Sequence, residues 1–407
     1  MAKLFPFRAL RPGPEAAAHV ASVPYDVVNT EEARALAVSE PHSFLHVTRS
    51  EIDLPPETSP YDNLVYEQAV KNFEALKRSA PLILEEEPAL YLYRLRMGRH
   101  EQTGVAGCFS VDEYEQGAIK KHEKTRKDKE DDRTRHILEL RAQTGVVFLA
   151  HRASAAVDDA IAARVTSVRP LYEITAPDDV RHQIWRVTGA DSAALVEAFG
   201  AIPALYIADG HHRAASAARA RAELRQGGGR SADADRFIAV SFPDTQVQIL
   251  SYNRTVKDLD GETPESLIGA IRASEIVVSP GHAVPGRPGL VSMFLGGKWY
   301  SIELPPAPPG APRSETLDVE VLQRRILEPF LRVGDPRTDK RIDFVGGIRG
   351  TDELERLVRS HRAAVAFSLY PVSMGDLMAI ADAGGIMPPK STWFEPKLRD
   401  GLLTHLI

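Results

Sequence analysis

The sequence predicts a mixed α/β fold spread over more than one domain. Short β-branched and aromatic runs alternate with segments of helical periodicity along most of the chain. No repeat array is visible, and 407 residues suffice for two or three domains with a sizeable core. A formal charge of −6 provides no global basic field for nucleic acid. The single cysteine, Cys108, rules out an internal disulfide and leaves no metal-cluster spacing. These features predict a protein of a reducing compartment, the cytoplasm by default. Met1 to Pro14 lacks a signal core and no later apolar run reaches membrane-spanning length, so no membrane partner is expected.

The elements follow in order. Val20 to Val28 is an apolar run interrupted by Pro24. Thr30 reads as the N-cap of a helix to about Val38, with Glu31 and Glu32 in its first turn. Phe44 to Arg49 predicts a turn and strand, and Tyr61 to Arg78 a helix whose apolar stripe is Leu64, Val65, Ala69, Phe73 and Leu76. Ala89 to Met97 and Gly104 to Val111 predict adjacent strands. Strands are then expected at Val146 to Leu149, Leu171 to Ile174 and Gln183 to Val187, and helices at Ala153 to Val165 and Ser192 to Phe199. Arg236 to Phe242 and Val247 to Ser251 read as a strand pair, and Leu290 to Leu304 as a hairpin turning at Gly296-Gly297. The proline-rich Pro305 to Pro312 reads as a stiff connector, dividing the chain into a domain of residues 1–304 and a smaller α/β lobe of residues 313–407.

Two stretches carry candidate chemistry. Ala204 to Ala208 is an apolar strand, Ala214 to Leu224 an Ala-rich helix, and between them stand Asp209, Gly210, His211, His212 and Arg213. A helix start leaves backbone N–H groups unpaired and carries partial positive charge, so this turn is suited to an anion. Gly210 allows close backbone approach, while His211, His212 and Arg213 add donors suited to phosphate oxygens. Asp209 would repel a phosphate unless it holds Mg²⁺ or takes a proton from a nucleophile. A helix cap alone explains one polar residue and leaves the other three without a role.

The second stretch, Ile119 to His136, interleaves charges of both signs at helical spacing. It reads either as a solvated helix or as a binding element with Lys120, Lys121, His122, Glu123 and Arg126 in its first turns, aimed at a shared anion.

The segments FPFRALRP, PYDVVN from Pro24, FLHVTRSEIDLP from Phe44, IKKHEKT from Ile119, ADGHHRAASA from Ala208 and the closing MPPKSTWFEPKLRDGLL resemble a bacterial and archaeal family known as domain of unknown function 1015. The likeness runs through nearly the whole chain, and it identifies a family without fixing a reaction. The Asp-Gly-His-His-Arg turn is also similar to the phosphate-binding turn of the ParB-like fold, shared by ParB nucleotide switches, sulfiredoxin and ADP-dependent free-serine kinases. This second likeness implies a ParB-like core with large insertions that binds ATP or ADP with Mg²⁺. It places Gly210, His211, His212 and Arg213 on the phosphates and Asp209 at the hydroxyl or the metal. The implied activity is a kinase acting on a small hydroxyl metabolite, free L-serine by preference; the alternative is a nucleotide-binding switch without transfer. Glu123 joins Asp209 as a catalytic candidate. Lys120, Lys121, His122 and Arg126 are expected to assist with phosphate, and Asp26, His46 and Arg49 to converge on the turn and bind the substrate. A homo-oligomer is left open.

Overall fold

The structure, a computed structural model, describes residues 2–80, 82–229 and 231–407. The chain divides into two compact units, Met1–Val247 with Pro396–Ile407 and Gln248–Glu395. The expected division at Pro305 to Pro312 is therefore corrected. Strands from both sides of that proline segment lie in one sheet, so the segment connects parts of a single unit.

The first unit is built on a nine-stranded sheet among the described residues. Its order is Ile119–Lys120, Leu205–Asp209, Val147–His151, Arg236–Pro243, His100–Ser110, Leu90–Met97, Arg181–Val187 and Tyr172–Thr175, with Leu4–Phe5 paired to His100–Ser110. Most neighbours are antiparallel, but Leu205–Asp209 runs parallel to Ile119–Lys120, and Arg236–Pro243 parallel to Val147–His151. Phe109, Val147, Leu149, Phe199, Leu205, Ile207 and Phe237 form the core beneath the central strands. The helix His211–Gln226 joins this core through Ala214, Ala215, Ala217 and Ala218, whose small side chains let the helix approach the sheet closely. Burying such apolar surface contributes about 25 cal/mol per Å².

Several elements differ from expectation for local reasons. Asn29, not Thr30, caps the helix Thr30–Ala37, in a capping box with Glu32. Leu45–Thr48 is a short helix rather than a strand. Phe44 and Val47 gain burial against Phe73 and Leu76 of the helix Asn63–Ser79, and that packing outweighs the β preference of the segment. Arg236–Pro243 and Gln248–Leu250 are not partners, because the latter pairs with Trp393–Glu395 in the second unit.

The second unit has a sheet ordered Val278–Pro280, Lys298–Glu303, Leu290–Leu295, Val365–Ser368, Tyr252–Val256 and Ile342–Gly346. The hairpin Leu290–Leu295 to Lys298–Glu303 turns at Gly296 and Gly297, both at positive φ, as the sequence predicts.

Candidate functional site

Asp209 ends a strand, and His211 begins the helix His211–Gln226. Gly210 joins them at φ 95°, ψ 32°, the left-handed region that glycine enters without a steric penalty. A Cβ there would meet Arg213 Nη1 at 3.3 Å and Val147 Cα at 3.4 Å, so the turn is also tight. The helix cap is Gly210, which frees Asp209 from the capping role.

Asp209 Oδ2 lies 3.1 Å from Lys397 Nζ and 3.8 Å from Arg213 Nη2. Burial alone would raise this carboxyl, but Lys397 and Arg213 outweigh it and hold Asp209 well below the usual carboxylate range. Its Oδ1 takes no part in either contact. Lys397 belongs to the terminal segment Pro396–Ile407 that completes the first unit. Sequence reasoning missed it, although its segment FEPKLRDGLL stands among the family-like motifs; nothing local marks a residue 188 positions away as a partner of Asp209.

Arg213 is buried, and both terminal nitrogens of its fork bond within the protein, while its Nε has no hydrogen-bond partner. Nη2 donates to both Asp26 carboxylate oxygens at 3.1 and 2.9 Å, and Nη1 donates to the Val146 carbonyl at 2.5 Å. Burial lowers its pKa, but Asp26 and Asp209 overcome that and raise it. These bonds fix the turn to Asp26 and to the neighbouring strand.

The two histidines are neutral rather than cationic. His211 is buried, its Nε2 accepts from the His122 backbone N–H at 3.4 Å, and the two imidazoles meet edge to face with centroids 4.4 Å apart. Burial pushes His122 down to about 4, His211 well below its ordinary value and His212 in the same direction. His212 Nε2 accepts from the Arg126 backbone N–H at 3.0 Å, which assigns the ring proton to Nδ1 and makes that atom a donor. Glu123 lies 3.6 Å from His211 Nδ1 through Oε2, and its side chain is half exposed.

The candidate residues of the charged stretch do not occupy the first turns of a helix. Lys120 lies in the strand beside Tyr206, residues 121–126 form a loop over the start of the helix His211–Gln226, and the helix of this stretch is Lys127–Leu140. Parallel pairing to Leu205–Asp209 and the two histidine bonds hold the segment extended. Lys121 lies over the Tyr114 ring at 3.9 Å, and Arg126 caps the helix without a side-chain bond while pairing with Asp128 at 2.7 Å. Asp26, His122, Glu123 and Arg126 therefore do gather at the turn.

His46 and Arg49 belong to a different network. His46 Nδ1 bonds Asp53 at 2.9 Å, and that bond raises its pKa against burial. Arg49 pairs with Glu51 at 3.1 Å and donates to Thr30 at 3.1 Å. The bonds of both side chains run to Asp53, Glu51 and Thr30, and none runs to the Asp209 turn. Among the described residues no cluster of three or more His, Cys, Asp or Glu side chains could hold a metal. Cys108 is buried in its strand, and burial pushes its thiol up.

Comparison with known proteins adds the following. The family model described as "Protein of unknown function (DUF1015)" matches residues 4–324. No curated protein matches the sequence. Similar solved structures include a free serine kinase mutant in complex with AMP, at 13% identity and a TM-score of 0.37, over 73% of this chain and 91% of that one. A conserved hypothetical protein from Pyrococcus furiosus matches at 15% identity and a TM-score of 0.34, over 74% and 94%. SbnI from Staphylococcus aureus, truncated at its C-terminus, matches at 12% and 0.38, over 74% and 87%. No helix among the described residues is long and apolar enough to cross a membrane.

Proposed function

The chain belongs to the DUF1015 family, and from the geometry of its Asp209 turn we propose that it is a nucleotide-dependent kinase for a small hydroxyl metabolite, free L-serine being the best candidate. One observation carries the reading. A partly exposed carboxylate, kept ionised by Lys397 and Arg213, stands at the mouth of a 16-residue helix entered through a left-handed glycine. That arrangement pairs an anion-binding terminus with the single acid that phosphoryl transfer requires beside it.

The roles follow from the bonds. Backbone N–H groups of the first helical turn, His212 Nδ1 and Lys397 would receive phosphate oxygens of ATP or ADP, with Lys120 and Lys121 adding positive charge nearby. Arg213 and Asp26 position the turn, and His122 positions His211. Asp209 is held too far below neutrality to be an efficient base. Glu123 is the better base: it takes the hydroxyl proton as the acceptor oxygen bonds to phosphorus and the phosphoanhydride P–O bond breaks, releasing the shortened nucleotide. Mg²⁺ suits a lone acid of this kind, since the ion commonly binds through one or two carboxylates together with substrate phosphates. Asp209 Oδ1 would hold it, and bound there it would neutralise phosphate charge.

Incubation of the protein with ATP or ADP, Mg²⁺ and a panel of hydroxyl amino acids tests the proposal. A phosphorylated amino acid is expected. Slow nucleotide hydrolysis without a phosphorylated acceptor would favour a nucleotide switch instead, and absence of nucleotide binding would remove both.

A further inference from the structure

A second polar site lies within the unit Gln248–Glu395 and does not depend on the kinase reading. Arg254 sits on the central strand Tyr252–Val256 and is only 3% exposed. Its guanidinium donates to the backbone carbonyls of Tyr252 and of Pro389, the latter at 3.1 Å, and lies 5.3 Å from the Phe344 ring centroid. Among the described residues no carboxylate pairs with it. A buried cation without a counter-charge costs several kcal/mol, and burial here pushes the group down to about 9.

A cavity of about 80 Å³ opens beside this guanidinium, lined also by Tyr252, Arg313, Asp318, Asp376 and Ser391. Arg313 and Asp376 pair with each other. Asp318 makes no direct ion pair among the described residues, although Arg287 acts on it electrostatically; both of its oxygens accept from the Gly289 N–H at 2.9 Å. Two guanidinium groups and two carboxylates thus line the cavity, and one of each makes no direct ion pair among the described residues. A plain anion would satisfy Arg254 and leave Asp318 facing added negative charge. A dipolar ligand satisfies both. At about 10–15 Å³ per water on this measure, the space suits roughly 5–8 heavy atoms, the size of glycine, alanine or serine.

We propose that this pocket binds a small zwitterion of the α-amino-acid class, its carboxylate on Arg254 and its ammonium group toward Asp318. Calorimetry of the full chain without nucleotide, using glycine, L-alanine, L-serine, acetate and ethylamine as separate probes, tests it. At least one amino acid should bind with one-to-one stoichiometry, and acetate and ethylamine at least about tenfold more weakly. Asp318→Asn keeps an acceptor for Gly289 and should fold, yet weaken amino-acid binding about tenfold; Arg254→Lys should do the same if it folds. Asp209→Asn should leave the affinity for glycine and L-alanine, which carry no hydroxyl for the proposed kinase site, unchanged. The proposal is overturned if no amino acid binds at millimolar concentration, if acetate binds as well as the amino acids, or if Asp318→Asn binds like the unaltered protein. Loss of glycine or L-alanine binding in Asp209→Asn would also overturn it, by assigning the ligand to the other unit.

Discussion

Arg213→Ala should destabilise the first unit strongly, and the size of the effect follows from its contacts. The side chain makes two bonds to Asp26 and one to the Val146 carbonyl, and approaches Asp209 at 3.8 Å. Truncation leaves the carbonyl and two carboxylates short of a cation. Breaking a buried pair costs about 3–5 kcal/mol, and because the Asp26 side chain is 35% exposed to water the lower figure applies, about 3 kcal/mol. Truncation also widens a cavity of about 30 Å³ already lined by Tyr25, Gly145 and Arg213, which adds to the cost. At 2–4 °C per kcal/mol, the melting transition of this unit should fall by about 6–12 °C. Arg213→Lys, which keeps the charge and loses the fork, should fall between the variant and the unaltered protein. Differential scanning calorimetry provides the measurement. An Arg213→Ala transition within about 1 °C of the unaltered protein would refute the assignment of Arg213 as the tie that holds the turn.

Three further outcomes are expected. Lys397→Met should release Asp209 from its strongest cation, so the Asp209 carboxyl should titrate closer to the ordinary range by NMR and nucleotide affinity should weaken about tenfold; unchanged titration would contradict the pairing at 3.1 Å. Gly210→Ala must adopt φ 95° against Arg213 and Val147, costing about 1–2 kcal/mol in urea unfolding, and equal stability would mean that the turn is not left-handed in solution. His122, His136 and His151 are buried and pushed down to about 4, so the unfolded chain binds more protons than the folded one between about pH 6.5 and 4. Their stabilisation is complete above that window and is lost as pH falls through it. Asp400, pushed up to about 7 by burial, opposes this by favouring the folded state when protonated. His182, His211, His212 and His405 are pushed in the same direction as these three and together outnumber Asp400 and the raised His46, so urea midpoints should be lower at pH 5 than at pH 7, and a higher midpoint at pH 5 would contradict the balance.

Much of the architecture is legible in local pattern. The strand before Asp209, the Ala-rich helix after it and the Gly296-Gly297 hairpin all follow from propensity and turn chemistry. Legibility ends where a tertiary contact decides. Phe44 to Arg49 has a strand-like composition, yet it forms a helix because Phe44 and Val47 bury against Phe73. The unit boundary was misplaced because prolines reveal stiffness, whereas the sheet joining Tyr252–Val256 to Ile342–Gly346 depends on pairing between strands about ninety residues apart. In the site, residue types single out the Asp209-Gly210 turn, and the left-handed glycine there is legible from its residue type alone. The same types could not reveal the pairing of Arg213 with Asp26, because a guanidinium that binds phosphate and one that binds a carboxylate of the same chain are identical in sequence. Lys397 lay out of reach for the opposite reason: its partner is known only once the terminal segment returns to the turn.

The most direct test of the central claim is the rate of acceptor phosphorylation by Asp209→Asn, followed by ³¹P NMR alongside calorimetric nucleotide affinity. Asparagine preserves the size of the side chain and removes the charge that Lys397 and Arg213 hold ionised. Turnover should fall by at least about a hundredfold while nucleotide affinity is retained or tightened, the pattern of an interaction that acts in the transition state. Turnover equal to that of the unaltered protein would contradict the assignment of the Asp209 turn as the site of phosphoryl transfer.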